Sequence, residues 1–197
     1  MRTPAGGSRG YSLIEVMMSV TIITIVAAAA IPGVLANIDD ARAYGAAWYV
    51  STRLQRARME AVVRSTRVGV RVVAAAGGFE LTTYVDGNRN GIRTADIQQG
   101  VDRPLGLAER LPSLFRGVDF GVAPGVPAVD GGPPPGSDPI KLGSSNIVTF
   151  APAGTSSAGS LYIRGVRNAQ YVVRILGETG KTRVLKFDAR TRRWNQI

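Results

Sequence analysis

The feature that most constrains this chain is a long apolar stretch near its N-terminus, from Tyr11 to Leu35. It reads YSLIEVMMSVTIITIVAAAAIPGVL, and Glu15 is its one charged residue. As an α-helix it would measure roughly 37 Å, enough to cross the hydrocarbon core of a bilayer, which is about 30 Å thick. The stretch therefore predicts a single membrane-spanning helix. A carboxylate near the membrane centre costs on the order of 3 kcal/mol, so the presence of Glu15 needs an explanation.

The ten residues before the stretch are short, polar and basic, with Arg2 and Arg9 close to the apolar run. Basic flanks of a membrane helix tend to stay in the cytoplasm. A secretory signal peptide would have a shorter apolar region followed by a small-residue cleavage site, whereas here the small residue, Gly10, comes first. These residues alone favour an uncleaved signal anchor, with Glu15 reaching back to the lipid headgroups.

The segment Gly10-Tyr11-Ser12-Leu13-Ile14-Glu15-Val16 adds a second interpretation. It resembles the prepilin cleavage and methylation signature of type IV pilins and type II secretion pseudopilins. The resemblance implies that a prepilin peptidase cuts after Gly10 and that the new N-terminal residue, Tyr11, is N-methylated. It also implies that Glu15 pairs with the N-terminal amine of a neighbouring subunit. A buried carboxylate is tolerated only when it is paired, so this role accounts for the charge. Tyr11 stands where the family usually has Phe.

Pro32 lies where many members of that family carry a helix-kinking proline, and we expect a kink over residues 28–32. The helix should then continue outside the membrane. Apolar residues recur there at spacings of three and four, which predicts a face packed on a sheet: Ala43, Ala47, Val50, Leu54, Ala57 and Ala61. A second, basic stripe is expected to face solvent, with Glu60 pairing along the helix: Arg53, Arg56, Glu60, Arg64 and Arg67.

From Val68 onward the pattern changes to alternating, β-branched residues, with turns at Gly77-Gly78 and residues 177–180. The predicted strands are Val68–Ala74, Phe79–Val85, Val118–Val122, Ile147–Phe150, Ser160–Arg164, Gln170–Leu176, Arg183–Phe187 and Arg193–Gln196. The Gly/Pro-rich region 117–143 predicts an irregular surface loop. The expected fold is α+β: one long, Pro-kinked N-terminal helix packed on an antiparallel β-sheet, as in pilins.

These patterns divide the chain into four parts. Residues 1–10 are a leader peptide, 11–35 a transmembrane and assembly helix, 36–67 the amphipathic half of that helix, and 68–197 a β-rich globular domain. The segment 147–161, IVTFAPAGTSSAGSL, resembles the late part of the GspH/FimT family of minor pseudopilins, in which a strand ends in Phe-x-Pro-x-Gly before a small-residue turn. Residues 68–197 also have the length and the series of predicted β-strands that this family implies.

The composition excludes several kinds of chemistry. The chain has no histidine and no cysteine, which removes disulfides, thiolate nucleophiles, the usual zinc sites and every histidine-dependent triad. No set of carboxylates converges by spacing. We therefore expect a protein that is not an enzyme and needs no cofactor.

The segment Asp86-Gly87-Asn88-Arg89-Asn90-Gly91 is a weak calcium candidate. Asp86, Asn88 and Asn90 copy the opening ligands of an EF-hand loop, but Ile97 stands where the loop needs a bidentate Glu. The alternative is an Asx-rich turn that closes a hairpin.

The net charge of +10 is concentrated partly at the C-terminus, where Trp194 adds an aromatic ring. Such residues can neutralise phosphates and stack on bases. Some FimT-type proteins bind DNA through a Gly-Arg-x-Arg motif, which Gly180-Lys181-Thr182-Arg183 resembles with Lys in place of the first Arg. The candidate DNA-binding residues are Lys181, Arg183, Arg190, Arg192 and Arg193. The alternative is a solvated basic edge strand.

The sequence thus predicts a minor pseudopilin or pilin of a bacterial inner membrane. It would pass the membrane once, with its C-terminal domain in the periplasm. Its expected partners are the prepilin peptidase and the other pilins or pseudopilins of a type IV pilus or a type II secretion pseudopilus. A pilus-associated DNA receptor that uses the basic C-terminus is the alternative function.

Overall fold

A computed structural model describes residues 10–197, so most of the predicted leader lies outside the described residues. Helix α1 extends from Leu13 to Arg64. The chain forms two compact units, of which the first ends at Ile38 and the second begins at Asp39. We call residues 39–197 the head.

The first unit consists of an apolar helix whose side chains are exposed from Leu13 to Leu35. Its most apolar window has a mean hydropathy of 2.2, so it is long and apolar enough to cross a membrane. The hydroxyls of Ser19, Thr21 and Thr24 each donate to the backbone carbonyl four residues earlier, at 2.8 Å. These three hydroxyls therefore have a hydrogen-bond partner within their own helix, an arrangement compatible with a lipid environment.

In the head, the second half of α1 buries the predicted apolar stripe. Every member of that stripe, from Ala43 to Ala61, is almost inaccessible to solvent, and Ala46 joins it. The alanines leave room for the backbone of α1 to approach the sheets closely, while Leu54 and Val50 fill the space between them. The predicted packing of this face is confirmed.

The strands of the head fall close to their predicted positions. They are β1 (Val68–Ala75), β2 (Gly78–Val85), β3 (Arg103–Pro104), β4 (Asp119–Phe120), β5 (Ile140–Lys141), β6 (Ile147–Phe150), β7 (Gly159–Arg164), β8 (Gln170–Ile175), β9 (Thr182–Asp188) and β10 (Arg193–Gln196). Two short helices, α2 (Thr94–Gln98) and α3 (Leu111–Leu114), were not predicted. Gly77 and Gly78 have φ values of 82° and 136°, which explains why glycines form the β1–β2 turn.

The strands form two antiparallel sheets rather than one. The first has the order β3-β2-β1-β6, and the second has the order β10-β9-β8-β7-β4. One edge of β7 pairs with two different strands. Ile163 and Arg164 pair with β4, and Ser160 and Leu161 pair with β5. The α+β architecture is confirmed, and the expectation of a single sheet was wrong because periodicity does not specify which strands pair.

The region 117–143 is more ordered than the sequence predicted. It contributes β4 and β5, and it buries Val126 and Leu142. Between these strands it covers the face of the second sheet that lies opposite α1. There Val129 N–H donates to the hydroxyl of Tyr162 at 3.1 Å, and the indole of Trp194 donates to the carbonyl of Pro127 at 3.1 Å. Side chains of the sheet thus supply hydrogen bonds that this Pro/Gly-rich backbone cannot make by strand pairing.

Candidate assembly site

The predicted cleavage site lies in non-helical backbone just before α1. Ser12 caps the first turn, since its carbonyl accepts hydrogen bonds from the N–H groups of Glu15 at 3.0 Å and Val16 at 3.2 Å. Tyr11 is 81% exposed, and a Cβ added to Gly10 would meet no atom within 4 Å. The described fold therefore neither hides the Gly10–Tyr11 bond nor requires a glycine at position 10.

Glu15 lies in the first turn of α1 and is exposed. The positive end of the helix dipole stabilises a carboxylate there by about 0.3–1 kcal/mol. Among residues 10–197, Glu15 takes part in no ion pair. Its carboxylate is therefore available to a cation from outside the described part of the chain.

Pro32 lies inside α1, which continues on both sides of it. Its ring nitrogen has no hydrogen to donate, so one helical hydrogen bond is missing at this point. The kink at Pro32 stays a prediction.

Two carboxylates at the start of the head connect α1 to the second sheet. Buried Asp39 accepts hydrogen bonds from the N–H groups of Val166 and Arg167, both at 2.8 Å. A Cβ on Gly165 would lie 2.6 Å from the Asp39 carboxylate, so this contact requires a glycine. Asp40 instead accepts from the Tyr171 hydroxyl at 3.0 Å and from the Lys186 ammonium at 2.7 Å.

Burial and the neighbouring carboxylate of Asp40 raise the pKa of Tyr171. The phenol therefore stays protonated and acts as a hydrogen-bond donor. Successive helical residues point about 100° apart, so the side chains of Asp39 and Asp40 leave α1 in different directions. That divergence lets Asp39 reach the β7–β8 turn, while Asp40 reaches Tyr171 of β8 and Lys186 of β9. In the sequence, the signal for these contacts is an acidic pair between an apolar span and an apolar stripe.

The basic stripe on α1 is only partly solvated. The side chain of Arg53 is 16% exposed, and its Nε lies 3.1 Å from the Glu109 carboxylate. Glu109 also accepts a hydrogen bond from Tyr49 at 2.7 Å. Glu60 pairs with Arg64 at 2.9 Å, as the spacing predicted. Glu109 was missed because it lies far from α1 in sequence.

The loop that begins at Asp86 is built of Asx turns. The Asp86 carboxylate accepts from Asn88 N–H at 3.2 Å and from Gly91 N–H at 2.7 Å, and the Asn88 side chain accepts from Asn90 N–H at 3.2 Å. Buried Asp102, which was not predicted, accepts from Gly87 and Arg93. The Asx-turn interpretation is confirmed, and calcium binding at Asp86, Asn88 and Asn90 stays a prediction.

The basic residues near the C-terminus form two groups rather than one. Lys181 and Arg183 lie at the start of β9, whereas Arg190, Arg192 and Arg193 surround the β9–β10 turn. Arg193 pairs in register with Asp188, which is about 17 Å along the strand from Arg183. The structure therefore does not bring all five candidates together.

Trp194 is not a free stacking surface. Its ring packs against Phe187 and Tyr162, with centroid separations of 5.3 and 5.8 Å. The indole is therefore half-buried between these two rings and the covering segment at Pro127. DNA binding by the basic residues stays a prediction.

Comparison with known protein families shows which class of protein these features belong to. Residues 6–31 match the prokaryotic N-terminal methylation motif, which includes Gly10, Tyr11 and Glu15. The motif belongs to prepilin-type proteins, which prepilin peptidase processes and which assemble with other pilins. Residues 47–180 match the type II transport protein GspH, and the chain belongs to that family. No curated protein and no solved structure matches this chain.

The chain is thus a pseudopilin or pilin of the GspH/FimT kind, a member of a family of structural components of type II secretion or pilus assembly. The family match covers most of the head and ends at Gly180. Strands β9 and β10, which carry the basic residues, lie beyond it.

Proposed function

We propose that this chain is a minor pseudopilin that is cut between Gly10 and Tyr11, N-methylated on Tyr11, and built into a filament through Glu15. The leader would then end at residue 10, the assembly helix would extend over 11–35, its amphipathic half over 36–67, and the β-rich domain over 68–197. The filament would be a type II secretion pseudopilus or a type IV pilus.

The observation that carries this proposal is the isolation of Glu15. It is the one charge of an apolar helix, and it has no ion-pair partner among the described residues. Cleavage after Gly10 creates a positively charged amine on Tyr11, four residues before Glu15. When subunits pack side by side, an amine on one and a carboxylate on the next compensate each other in an environment that tolerates neither charge alone.

The apolar helix supports a location in the inner membrane before assembly. Its exposed side chains need either lipid or other apolar helices, since water is a poor environment for such a surface. The basic leader favours a cytoplasmic N-terminus, which would place the head in the periplasm.

The head is proposed to have a structural rather than a catalytic role. Burial raises the pKa values of Tyr49, Asp119, Tyr162 and Tyr171, but these groups are distributed among separate contacts. A groove of about 320 Å³ lies between α1 and the segment 104–106, with Arg53, Arg56 and Glu60 in its wall. None of these side chains is a nucleophile with an adjacent base.

Mass spectrometry of the N-terminus tests the proposal. The mature chain should begin at Tyr11 and carry one added methyl group. Gly10→Val should block cleavage, because a β-branched side chain would enter the scissile bond's recognition site. Gly33→Ala is the matched control, since Gly33 also has open space around it and should leave processing unchanged. An uncut wild-type chain, or a cut elsewhere, would contradict the proposal.

A further inference from the structure

Several exposed arginines gather at the end of the head that begins with Asp39. We call Arg42, Arg116, Arg167, Arg190 and Arg193 the basic collar; all five are exposed. Arg42 lies about one helical turn after Asp39. The backbone N–H of Arg167 donates to the Asp39 carboxylate at 2.8 Å, which fixes the β7–β8 turn at the same level.

Arg116 belongs to the same end of the head. The aromatic ring of Phe115 lies 3.1 Å from the position of a Cβ on Gly45 of α1. On the other side, a Cβ on Gly117 would lie 2.5 Å from Cγ2 of Val166, which directly precedes Arg167. Arg116 is therefore held between the helix and the β7–β8 turn.

Strand β9 brings in the remaining two arginines. The hydroxyl of Thr182 lies 2.6 Å from that of Ser51, and the Lys186 ammonium lies 2.7 Å from Asp40. Strand β9 thus runs antiparallel to α1 and reaches the level of Asp40 at Lys186. Asp188, which pairs with Arg193, lies about 7 Å further along the strand. The β9–β10 turn with Arg190 and Arg193 consequently extends past Asp40.

The nearby carboxylates offset only part of the positive charge of the collar, since five arginines and Lys186 stand against Asp39, Asp40 and Asp188. None of its five arginines forms an ion pair within residues 10–197. Asp39 is occupied by backbone N–H groups, and Asp40 pairs with Lys186. The Asp188 carboxylate accepts from Arg190 N–H and the Thr191 hydroxyl, and these hydrogen bonds lower its pKa.

We propose that the basic collar binds the headgroups of anionic phospholipids and holds the head against the membrane before the subunit enters a filament. Only three residues separate Leu35, the end of the proposed span, from Asp39. The collar is therefore held within reach of the lipid surface. Val166, which is 71% exposed beside Arg167, supplies an apolar tip that can enter the headgroup layer. This inference rests on the proposed membrane anchor.

The distribution of charge favours lipid over nucleic acid as the phosphate source. The collar lies at the end of the head that the chain joins to the proposed membrane span, so these arginines are the ones nearest to a lipid surface. Lys181 and Arg183, which a DNA site at the C-terminus would also need, lie at the other end of β9. An arginine near an anionic membrane surface contributes about 1 kcal/mol, or roughly a fivefold change in binding.

The test uses the full-length chain in nanodiscs of phosphatidylcholine, with or without phosphatidylglycerol. Because the chain has no cysteine, Ala189→Cys places a single spin label in the β9–β10 turn, and Thr179→Cys places one at the opposite end of β9. A nickel-chelating lipid should broaden the signal at position 189 and not at 179. The broadening should require phosphatidylglycerol and weaken with added salt.

Charge variants identify the residues responsible. The triple change Arg167→Gln, Arg190→Gln and Arg193→Gln should weaken docking about a hundredfold, from about fivefold for each arginine. The matched control is Arg56→Gln, Arg89→Gln and Arg93→Gln, which removes the same charge from exposed arginines elsewhere and should dock normally. Equal urea midpoints would show that both variants are folded.

The outcomes separate this inference from the proposed function. Release of the wild-type chain from membranes by alkaline carbonate would overturn both the anchor and the collar. Retention in carbonate with equal broadening in both lipid compositions, or with unchanged docking of the collar variant, would overturn the collar alone. A collar variant that docks normally but no longer retards duplex DNA would assign these arginines to nucleic acid instead.

Discussion

Glu15 and Asp39 are carboxylates on the same helix, and their surroundings differ completely. Asp39 is buried, and two backbone N–H groups of the β7–β8 turn satisfy it. Glu15 is exposed in an apolar segment and has no ion-pair partner in the described chain. The head thus satisfies the Asp39 carboxylate within its own fold, whereas the described part of the first unit offers Glu15 no ion-pair partner and leaves an apolar surface exposed.

The largest effect is expected from Glu15→Val. The variant should still insert in the membrane, because a more apolar span inserts at least as well. Removing one partner of a buried pair typically costs about 3–5 kcal/mol, so assembly should fall by about a hundredfold or more. Filament yield and carbonate resistance measure the two properties separately. Glu60→Gln, which loses only a surface pair, should assemble normally. Normal assembly of the Glu15→Val variant would disprove the role given to Glu15.

Within the head, the next largest effect is expected from Leu54→Ala. Leu54 is fully buried between α1 and the sheets, and truncation leaves a cavity that should lower the free energy of unfolding by about 2–5 kcal/mol. Urea denaturation of the detergent-solubilised chain measures the change. Met59→Ala, on an exposed face of the same helix, should change it by less than about 0.5 kcal/mol. Similar values for the two would contradict the packing described above.

Asp39→Ala should lower the free energy of unfolding by about 2–3 kcal/mol. The change removes a charged acceptor and leaves the N–H groups of Val166 and Arg167 without it. Glu60→Ala, which removes only a pair with Arg64 on the surface of α1, is the control and should cost about 0–1 kcal/mol. If both variants lose the same small amount, Asp39 does not hold α1 to the β7–β8 turn.

The smallest effect is expected from Tyr171→Phe, which should change how the free energy of unfolding depends on pH. The pKa of Tyr171 is raised in the folded state, so the unfolded chain loses this proton first as the pH rises. Stability should fall above about pH 10 by up to about 1.4 kcal/mol per pH unit for this group. Tyr171→Phe should be slightly less stable at neutral pH and should show a shallower decline in the alkaline range. An equally steep decline in the variant would show that other groups dominate the alkaline loss.

Much of the local structure could be predicted from the sequence. The stripe from Ala43 to Ala61 is buried as its period indicated, and β6 and β10 have their predicted bounds. Strands β3 and β5 were missed because each consists of two residues, too few to show alternation. The order along the region 117–143 was missed because its hydrogen bonds go to side chains of strands far away in sequence, such as Tyr162.

The sequence by itself determined the elements that depend on neighbouring residues: the apolar span with Glu15, the motif around Gly10, the amphipathic half of α1 and most strands. Only the tertiary structure decided how those strands divide into two sheets, which carboxylates are satisfied, and that the basic residues of the C-terminus separate into two groups. The reason is physical. Helical period and strand alternation are short-range properties, whereas strand pairing and charge compensation depend on contacts between residues that lie far apart in the chain.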